Sequence, residues 1–265
     1  MKGLRDKVAI VTGSATSIGA SVARAFVEAG THVIIADIAE EAGGALAEEL
    51  AGDGGGNAKF VRTDVTCDAD LKAAVDAAIS TWGQLDFVVN TACTYVDNGM
   101  DSTREQFLEA LNVNAAGGFM LVQYARPHLK AAKGAVVNFG SISAKIAQPG
   151  RCLYPMTKGA IHQLTRNEAL LLAEDGIRVN TVSPGWTWCT IMDEVSGGDR
   201  PKTDRVAEPF HMTGRVGDQR EIADAVLFLC SDHASFITGT DLPVDGGYSA
   251  LGPEQKTDAL GQLAD

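Results

Sequence analysis

Two hydrophobic periods alternate along this chain. Short runs rich in β-branched residues stand at Val8–Thr12, His32–Asp37, Lys59–Thr63, Leu85–Asn90, Ala135–Phe139 and Arg178–Val182, with a shorter one at Asp241–Val244. Continuous apolar runs of this length mark strands buried on both faces of a parallel sheet. Between them apolar residues recur every three or four positions: Ile18, Val22, Phe26 and Ala29; Leu71, Val75, Ile79 and Trp82; Ile222, Val226 and Leu229. That spacing puts each set on one stripe of a helix. Strand–helix alternation repeated six times, joined by right-handed crossovers, predicts an α/β fold. It is a doubly wound, seven-stranded, mainly parallel sheet with helices on both faces.

No linker divides the chain, so a single domain over residues 1–265 is expected. The glycine-rich stretch Gly52–Asn57 is too short to part domains and reads as a turn. Residues 186–217 break the alternation: they hold four Gly and two Pro and show no strand pattern. A loop of that length in a compact domain is usually functional, and it is read as a substrate lid. The polar stretch Gly252–Asp265 reads as a tail or a subunit contact.

Charge narrows the partners. The 265 residues carry 22 Lys and Arg against 34 Asp and Glu, a net charge of −12, with no basic tract. Nucleic acid and anionic membrane surfaces are therefore excluded as partners, and a small-molecule substrate is expected. Residues 1–7 are too charged for a signal peptide, and no apolar run is long enough to span a bilayer. The five cysteines (Cys67, Cys93, Cys152, Cys189, Cys230) are widely spaced, without C-x-x-C pairs or zinc-type spacing. No disulfide framework and no metal site is expected; a reducing, cytoplasmic setting is.

Chemistry begins at the first strand–helix junction, Thr12-Gly13-Ser14-Ala15-Thr16-Ser17-Ile18-Gly19. Glycines there let the backbone approach a pyrophosphate, and the helix N-terminus supplies N–H donors and a positive dipole end. Asp37 closes the second strand, 18 residues after Gly19. An acid at that place accepts both adenosine ribose hydroxyls and repels a 2′-phosphate. No Arg or Lys stands at Ser14, Ala15 or Ile38, so the expected cofactor is NAD, not NADP.

Here the sequence resembles the short-chain dehydrogenase/reductase family over nearly its whole length. The resemblance rests on the Thr12–Gly19 turn, Asp64-Val65, Asn90, Asn114, Ser141, Tyr154-x-x-x-Lys158, Pro184-Gly185 and Asp245-Gly246-Gly247. It implies a Rossmann domain, with Gly13, Ser17, Ile18 and Gly19 at the pyrophosphate. Asp64 and Val65 would flank the adenine and Asn90 support the central strand end. Pro184 and Gly185 would open the lid, and Thr187 or Thr190 would bond the nicotinamide carboxamide. Two positions depart from the family: Ser17 replaces the middle glycine of the turn, and Asn90-Thr91-Ala92-Cys93 replaces Asn-Asn-Ala-Gly. Cofactor affinity is expected to be tuned by these changes, with Cys93 placed near the adenine ribose. The resemblance also implies a homotetramer built on the helices bearing Asn114–Arg126 and Pro155–Glu174.

Tyr154 and Lys158, four residues apart, share one face of a helix whose first turn tolerates Pro155. Alcohol oxidation needs a base for the hydroxyl proton, and a free phenol with pKa about 10 is too weak near neutrality. Lowering it by three units takes about 4 kcal/mol. One cation about 4 Å away supplies that at an effective dielectric near 20. Lys158 and the nicotinamide charge both act in this direction. Ser141, at the end of the fifth strand, is placed to bond the reacting oxygen. By resemblance, Asn114 bends its helix and holds a water linking the lysine to solvent. Asn114, Ser141, Tyr154 and Lys158 are the expected catalytic set.

The pocket is expected between Thr94–Asn98, Ser143–Leu153 and the lid. Trp188 offers a stacking face, Arg151 a partner for an anionic group, and His211, in the lid segment, a substrate contact. Gln148, Asp97 and Asn98 add polarity ill suited to a lipid. A polyhydroxylated ring follows, such as an aldose oxidised at its anomeric carbon. Cyclic diols or other secondary alcohols are the alternatives in the same class. A 3-ketoacyl reductase would favour NADP and a basic docking surface, against Asp37 and the −12 charge. A non-catalytic NAD-binding protein would have no need of the four catalytic residues.

Overall fold

The computed structural model describes residues 1–52 and 55–263; residues 53 and 54 of the expected turn and 264 and 265 of the tail lie outside them. Seven strands form one sheet: β1 (Val8–Thr12), β2 (His32–Asp37), β3 (Ala58–Arg62), β4 (Phe87–Asn90), β5 (Ala135–Phe139), β6 (Arg178–Pro184) and β7 (Asp241–Val244). Their order is β3-β2-β1-β4-β5-β6-β7, and every pairing is parallel. The strand order reverses between β1 and β4, which opens a crevice at their carboxyl ends.

Nine α-helices accompany the strands among the described residues. They are α1 (Ser17–Glu28), α2 (Glu40–Leu50), α3 (Asp68–Trp82), α4 (Arg104–Leu111), α5 (Gly117–Ala132), α6 (Leu153–Leu172), α7 (Thr190–Ser196), α8 (Arg200–Ala207) and α9 (Gln219–Cys230). Alternate strand residues face opposite layers. Ala9, Val11, Val33 and Ile35 pack with Val22 and Phe26 of α1 and Ile222 and Val226 of α9. Val8, Ile10, Ile34 and Val88 pack with Leu71 and Val75 of α3 and Leu121 and Leu129 of α5. No helix among the described residues is long and apolar enough to cross a membrane.

Three strand boundaries differ from the hydrophobic pattern. β3 runs one residue earlier, because the Thr63 hydroxyl turns back to the Val61 carbonyl at 2.9 Å. β4 begins at Phe87, two residues late, where the Asp86 carboxylate accepts the Val8 N–H at 2.9 Å and binds Lys7 at 2.9 Å. β6 continues to Pro184, paired with Val244. The segment 186–217 is free of strands as expected but is not a loop. It folds into α7, α8 and a short turn at Glu208–Phe210, with Asp199 capping α8 through the Lys202 N–H at 2.8 Å. His32 stacks on Trp82 with centroids 5.3 Å apart.

A buried polar chain crosses from the central strands to α6. The Asn90 amide donates to Asn138 at 2.8 Å, and Asn138 donates to Thr165 at 3.0 Å and Glu168 at 2.9 Å. Burial lifts the Glu168 carboxyl to about 7, against the opposing pull of the Asn138 donor. The folded state thus holds a proton that the unfolded chain releases near its ordinary value. Stability is expected to fall as pH rises from about 4.5 to 7 and to level off above that, by about 3 kcal/mol in all. Glu168→Gln should flatten this dependence and raise stability at pH 8, as read by urea unfolding at pH 5 and 8. An unchanged pH profile would refute the assignment.

Candidate active site

The crevice starts at the β1–α1 turn. Gly13 has φ +61°, and a Cβ there would sit 2.6 Å from the Ala92 Cα. A Cβ on Gly19 would collide with the Gly13 carbonyl oxygen. The turn is therefore packed too tightly for side chains, leaving backbone N–H groups bare at the head of α1. Asp37 reaches under it: one carboxylate oxygen accepts the Ala15 N–H at 2.9 Å and the other the Ala39 N–H at 3.0 Å. Next to β3, Asp64 accepts the Thr66 N–H at 2.9 Å, and buried Val65 presses its backbone against Gly117. Ile18 is half-buried in the first turn of α1. Bare amides, absent side chains and an acid at the end of β2 together fit a dinucleotide.

Further along the carboxyl ends lies a polar cluster. Asn114 sits in a five-residue π-helical stretch, Asn112–Ala116, where the path from α4 to α5 widens. Its oxygen accepts the Thr94 N–H at 2.7 Å, and its amide donates to the Thr94 carbonyl at 3.0 Å and the Thr157 hydroxyl at 3.1 Å. Ser141 lies two residues past β5, buried, its hydroxyl accepting the Ser143 N–H at 3.1 Å. Tyr154 and Lys158 rise from the first turns of α6, only 8% and 3% exposed. The Lys158 ammonium donates to the Phe139 carbonyl at 3.0 Å and lies 5.5 Å from the Tyr154 ring centre. Burial alone would lower Lys158; the neighbouring Cys93 and Tyr154 outweigh it and raise it.

The lid rises from Pro184 and Gly185. Gly185 admits no side chain, since a Cβ would meet Asp245 at 2.7 Å. The lid's base is clamped: Trp188 donates to the Gly217 carbonyl, Gly217 donates to the Trp186 carbonyl (both 2.8 Å), and Arg200 pairs with Asp218 at 2.7 Å. Arg215 grips Glu221 at 2.7 Å and holds its carboxyl down at about 2. Thr187 is buried and donates to the Gly185 carbonyl at 3.2 Å, whereas Thr190 faces the dinucleotide turn. Trp188 lies under Arg200, whose guanidinium is 5.9 Å from its ring. Exposed Arg151 stands 5.7 Å from the Tyr154 ring. His211 is 1% exposed, bonded to the Ala207 carbonyl at 3.1 Å and enclosed by Trp186, Phe210 and Tyr248. Its ring, expected to meet substrate, is instead packed among aromatics within the segment.

The comparisons agree with this geometry. Residues 13–249 match a family model described as enoyl-(acyl carrier protein) reductase. L-fucose dehydrogenase of Oryctolagus cuniculus is 37% identical over 96% of this chain and 89% of its own. A 2,5-dichloro-2,5-cyclohexadiene-1,4-diol dehydrogenase of Sphingobium indicum is also 37% identical, over 93% and 97%. A solved 7α-hydroxysteroid dehydrogenase, complexed with NADH and 7-oxo glycochenodeoxycholic acid, superposes with TM-score 0.85 at 32% identity, covering 92% and 95%. The chain belongs to the short-chain dehydrogenase/reductase family. It is an oxidoreductase of the dehydrogenase class.

Within this short-chain dehydrogenase, one site residue escaped the sequence pattern and two named ones take other parts. Tyr95 stacks on Tyr154 with centroids 4.9 Å apart and planes at 21°. Half of the residue is exposed, and its surroundings, with Tyr154, Cys93 and Cys189 as neighbours, push its pKa up. A lone tyrosine in a loop has no periodicity to reveal it. Cys93 was expected at the adenine ribose; its thiol instead turns to Lys158 and to the Thr94 carbonyl at 3.4 Å. Asp97, expected as a polar contact for substrate, spends its carboxylate on the head of α6. It accepts N–H groups of Cys152 at 2.9 Å and Tyr154 at 2.9 Å. Burial would raise it, but these donors and the Gly99 N–H outweigh that and hold it below the usual range. Helix caps ordinarily precede their helix directly, and this one comes from 55 residues upstream.

Asp97→Ala should cost about 1–2 kcal/mol, the usual size of a lost cap. Because Tyr154 lies in that first turn, turnover should fall as well. Asp97→Asn should recover most of the stability in urea unfolding. Equal stability of Asp97→Ala and wild type would remove the cap from the account.

Proposed function

We propose that this protein oxidises a ring alcohol with NAD, and that the substrate is a polyhydroxylated ring such as an aldose attacked at its anomeric carbon. The observation that carries the reaction is the buried Tyr154 phenol, fixed in the first turn of α6 with the Lys158 ammonium 5.5 Å from its ring centre. NAD, when bound, accepts a hydride at its nicotinamide ring. Tyr154 takes the hydroxyl proton as the carbon loses that hydride. Lys158 places a buried positive charge beside the phenol, where it favours negative charge developing on the oxygen as the proton is taken. Ser141 bonds the reacting oxygen and aims it at Tyr154. Tyr95, which keeps its proton, is a neutral donor at the same place. Asn114 holds the Thr94 backbone, and so the wall that carries Tyr95.

Asp37 supports NAD over NADP: an acid at the end of β2, tied to the turn through the Ala15 N–H, would repel a 2′-phosphate, and no cation stands at Ser14, Ala15 or Ile38 to receive one. Around the adenosine, Gly13, Ser17, Ile18, Gly19, Asp64, Val65 and Asn90 would serve. Pro184, Gly185, Thr187 and Thr190 would serve the nicotinamide. A sugar fits the polar rim of Gln148 and Arg151, the latter free to meet an anionic group, and the relative named for L-fucose. The relative named for a cyclohexadiene-diol favours a cyclic diol as the second reading. The exposed Leu170 and Leu171 on α6 support assembly into a homo-oligomer, taken as a tetramer. All five cysteines are free thiols, in keeping with the cytoplasm.

Tyr154→Phe keeps the ring and removes the proton acceptor. Turnover on a panel of aldoses and cyclic diols should drop by about 10²–10⁴ with NAD affinity retained. Near-normal activity would end the proposal. Asp37→Ala should weaken NAD and narrow its advantage over NADP, measured as the ratio of the two kcat/KM values. Wild-type protein using both cofactors equally would contradict the role given to Asp37.

A further inference from the structure

Ser17 stands where a glycine would be unstrained. Its φ is +51°, in the left-handed region that side chains rarely adopt. Among the described residues, the other non-glycine positive-φ positions are Asp6, Lys133 and Gln255, all away from the crevice. The side chain that brings this strain also reaches across the crevice. The Ser17 hydroxyl lies 2.9 Å from the Thr190 hydroxyl and accepts the Thr190 N–H at 3.3 Å, a contact between residues 173 positions apart.

Thr190 is the first residue of α7, and that helix is poorly held. It buries none of its residues, and its own N-cap, Cys189, makes no side-chain capping bond. Ile191 and Val195 are exposed. The clamps at Gly217, Asp218 and Glu221 hold the base of the lid, not α7. Ser17 therefore performs from the dinucleotide turn the capping that α7 does not provide for itself.

We propose that Ser17 is a positioning residue: a hydroxyl latch that seats α7 on the dinucleotide turn, so that lid and turn move as one unit. The latch stands on the free protein's geometry; its consequence for the cofactor rests on the NAD reading above. With the latch made, the lid lies over the crevice between the turn and Tyr154. A bound dinucleotide leaves only after α7 lifts, and the two hydroxyls set how often it does. A glycine would relax the turn and release the lid.

The test uses amide hydrogen exchange of residues 190–207 in the ligand-free, full-length protein. Ser17→Ala removes the hydroxyl and retains the backbone strain; Ser17→Gly removes both. Each should speed lid exchange about fivefold, the equivalent of one net hydrogen bond of about 1 kcal/mol. Thr190→Val, which loses the hydroxyl contact but keeps the backbone N–H bond to Ser17, should speed it by less, and Thr190→Ser should behave as wild type. The double variant Ser17→Ala/Thr190→Val should be no faster than Ser17→Ala alone, since Ser17→Ala already removes the contact that Thr190→Val removes. Ser17→Gly should be more heat-stable than Ser17→Ala. NAD dissociation from Ser17→Ala, followed by tryptophan fluorescence, should quicken by a similar factor. Unchanged lid exchange in Ser17→Ala, or additive effects in the double variant, would overturn the latch. If exchange quickens as expected but wild type binds no NAD, the latch stands and the cofactor reading fails.

Discussion

Lys158 carries a charge to a place where only 3% of the residue meets solvent, and its neighbours are a carbonyl, a thiol and a phenol. Removing an ammonium from water is costly unless its donors are satisfied and its charge is used. The Phe139 carbonyl meets the first requirement and, in doing so, binds α6 to the end of β5. Tyr154 and Cys93 meet the second. Once this side chain is anchored, Ser141 and Tyr154 are brought to the same crevice, because one lies just past the strand that Lys158 grips and the other sits one turn before it.

The rest of the site consists of supports for that arrangement. Asp97 caps α6 at the turn that bears Tyr154, and Asn114 ties down Thr94 from a π-helical widening of the α4–α5 path. Such widenings lodge a side chain where a regular helix would turn it away. The buried chain from Asn90 through Asn138 to Glu168 locks the same strand ends from below. Its carboxyl is tolerated because it stays protonated up to about 7.

Opposite this rigid wall is a more weakly held one. The segment 186–217 is fixed at its base by Arg200 and Arg215 pairs, which are at the surface and individually weak. Its leading helix leans on Ser17. A crevice with one wall set by buried polar bonds and the other by a surface hydroxyl contact can hold its chemistry fixed while it opens and shuts. That division suits an enzyme whose cofactor and substrate must both enter and leave.

Much of this was legible along the chain. Runs of β-branched residues located all seven strands, since a parallel strand buried on both faces has little choice but to be apolar. The helix stripes of α1, α3 and α9 followed from the same rule. Gly13 and Gly19 announced the turn, and Tyr154 and Lys158 announced their shared face, because helix geometry converts a spacing of four into proximity. The tertiary structure alone decided what depended on contacts between distant positions. Asp97 caps a helix 55 residues away, Cys93 neighbours the lysine, Tyr95 stacks on Tyr154, and Ser17 meets Thr190. Periodicity records how a segment faces the core; it holds no information about which loop ends meet across a crevice. Those meetings are set by where the strand ends and the lid come to rest after the sheet has formed.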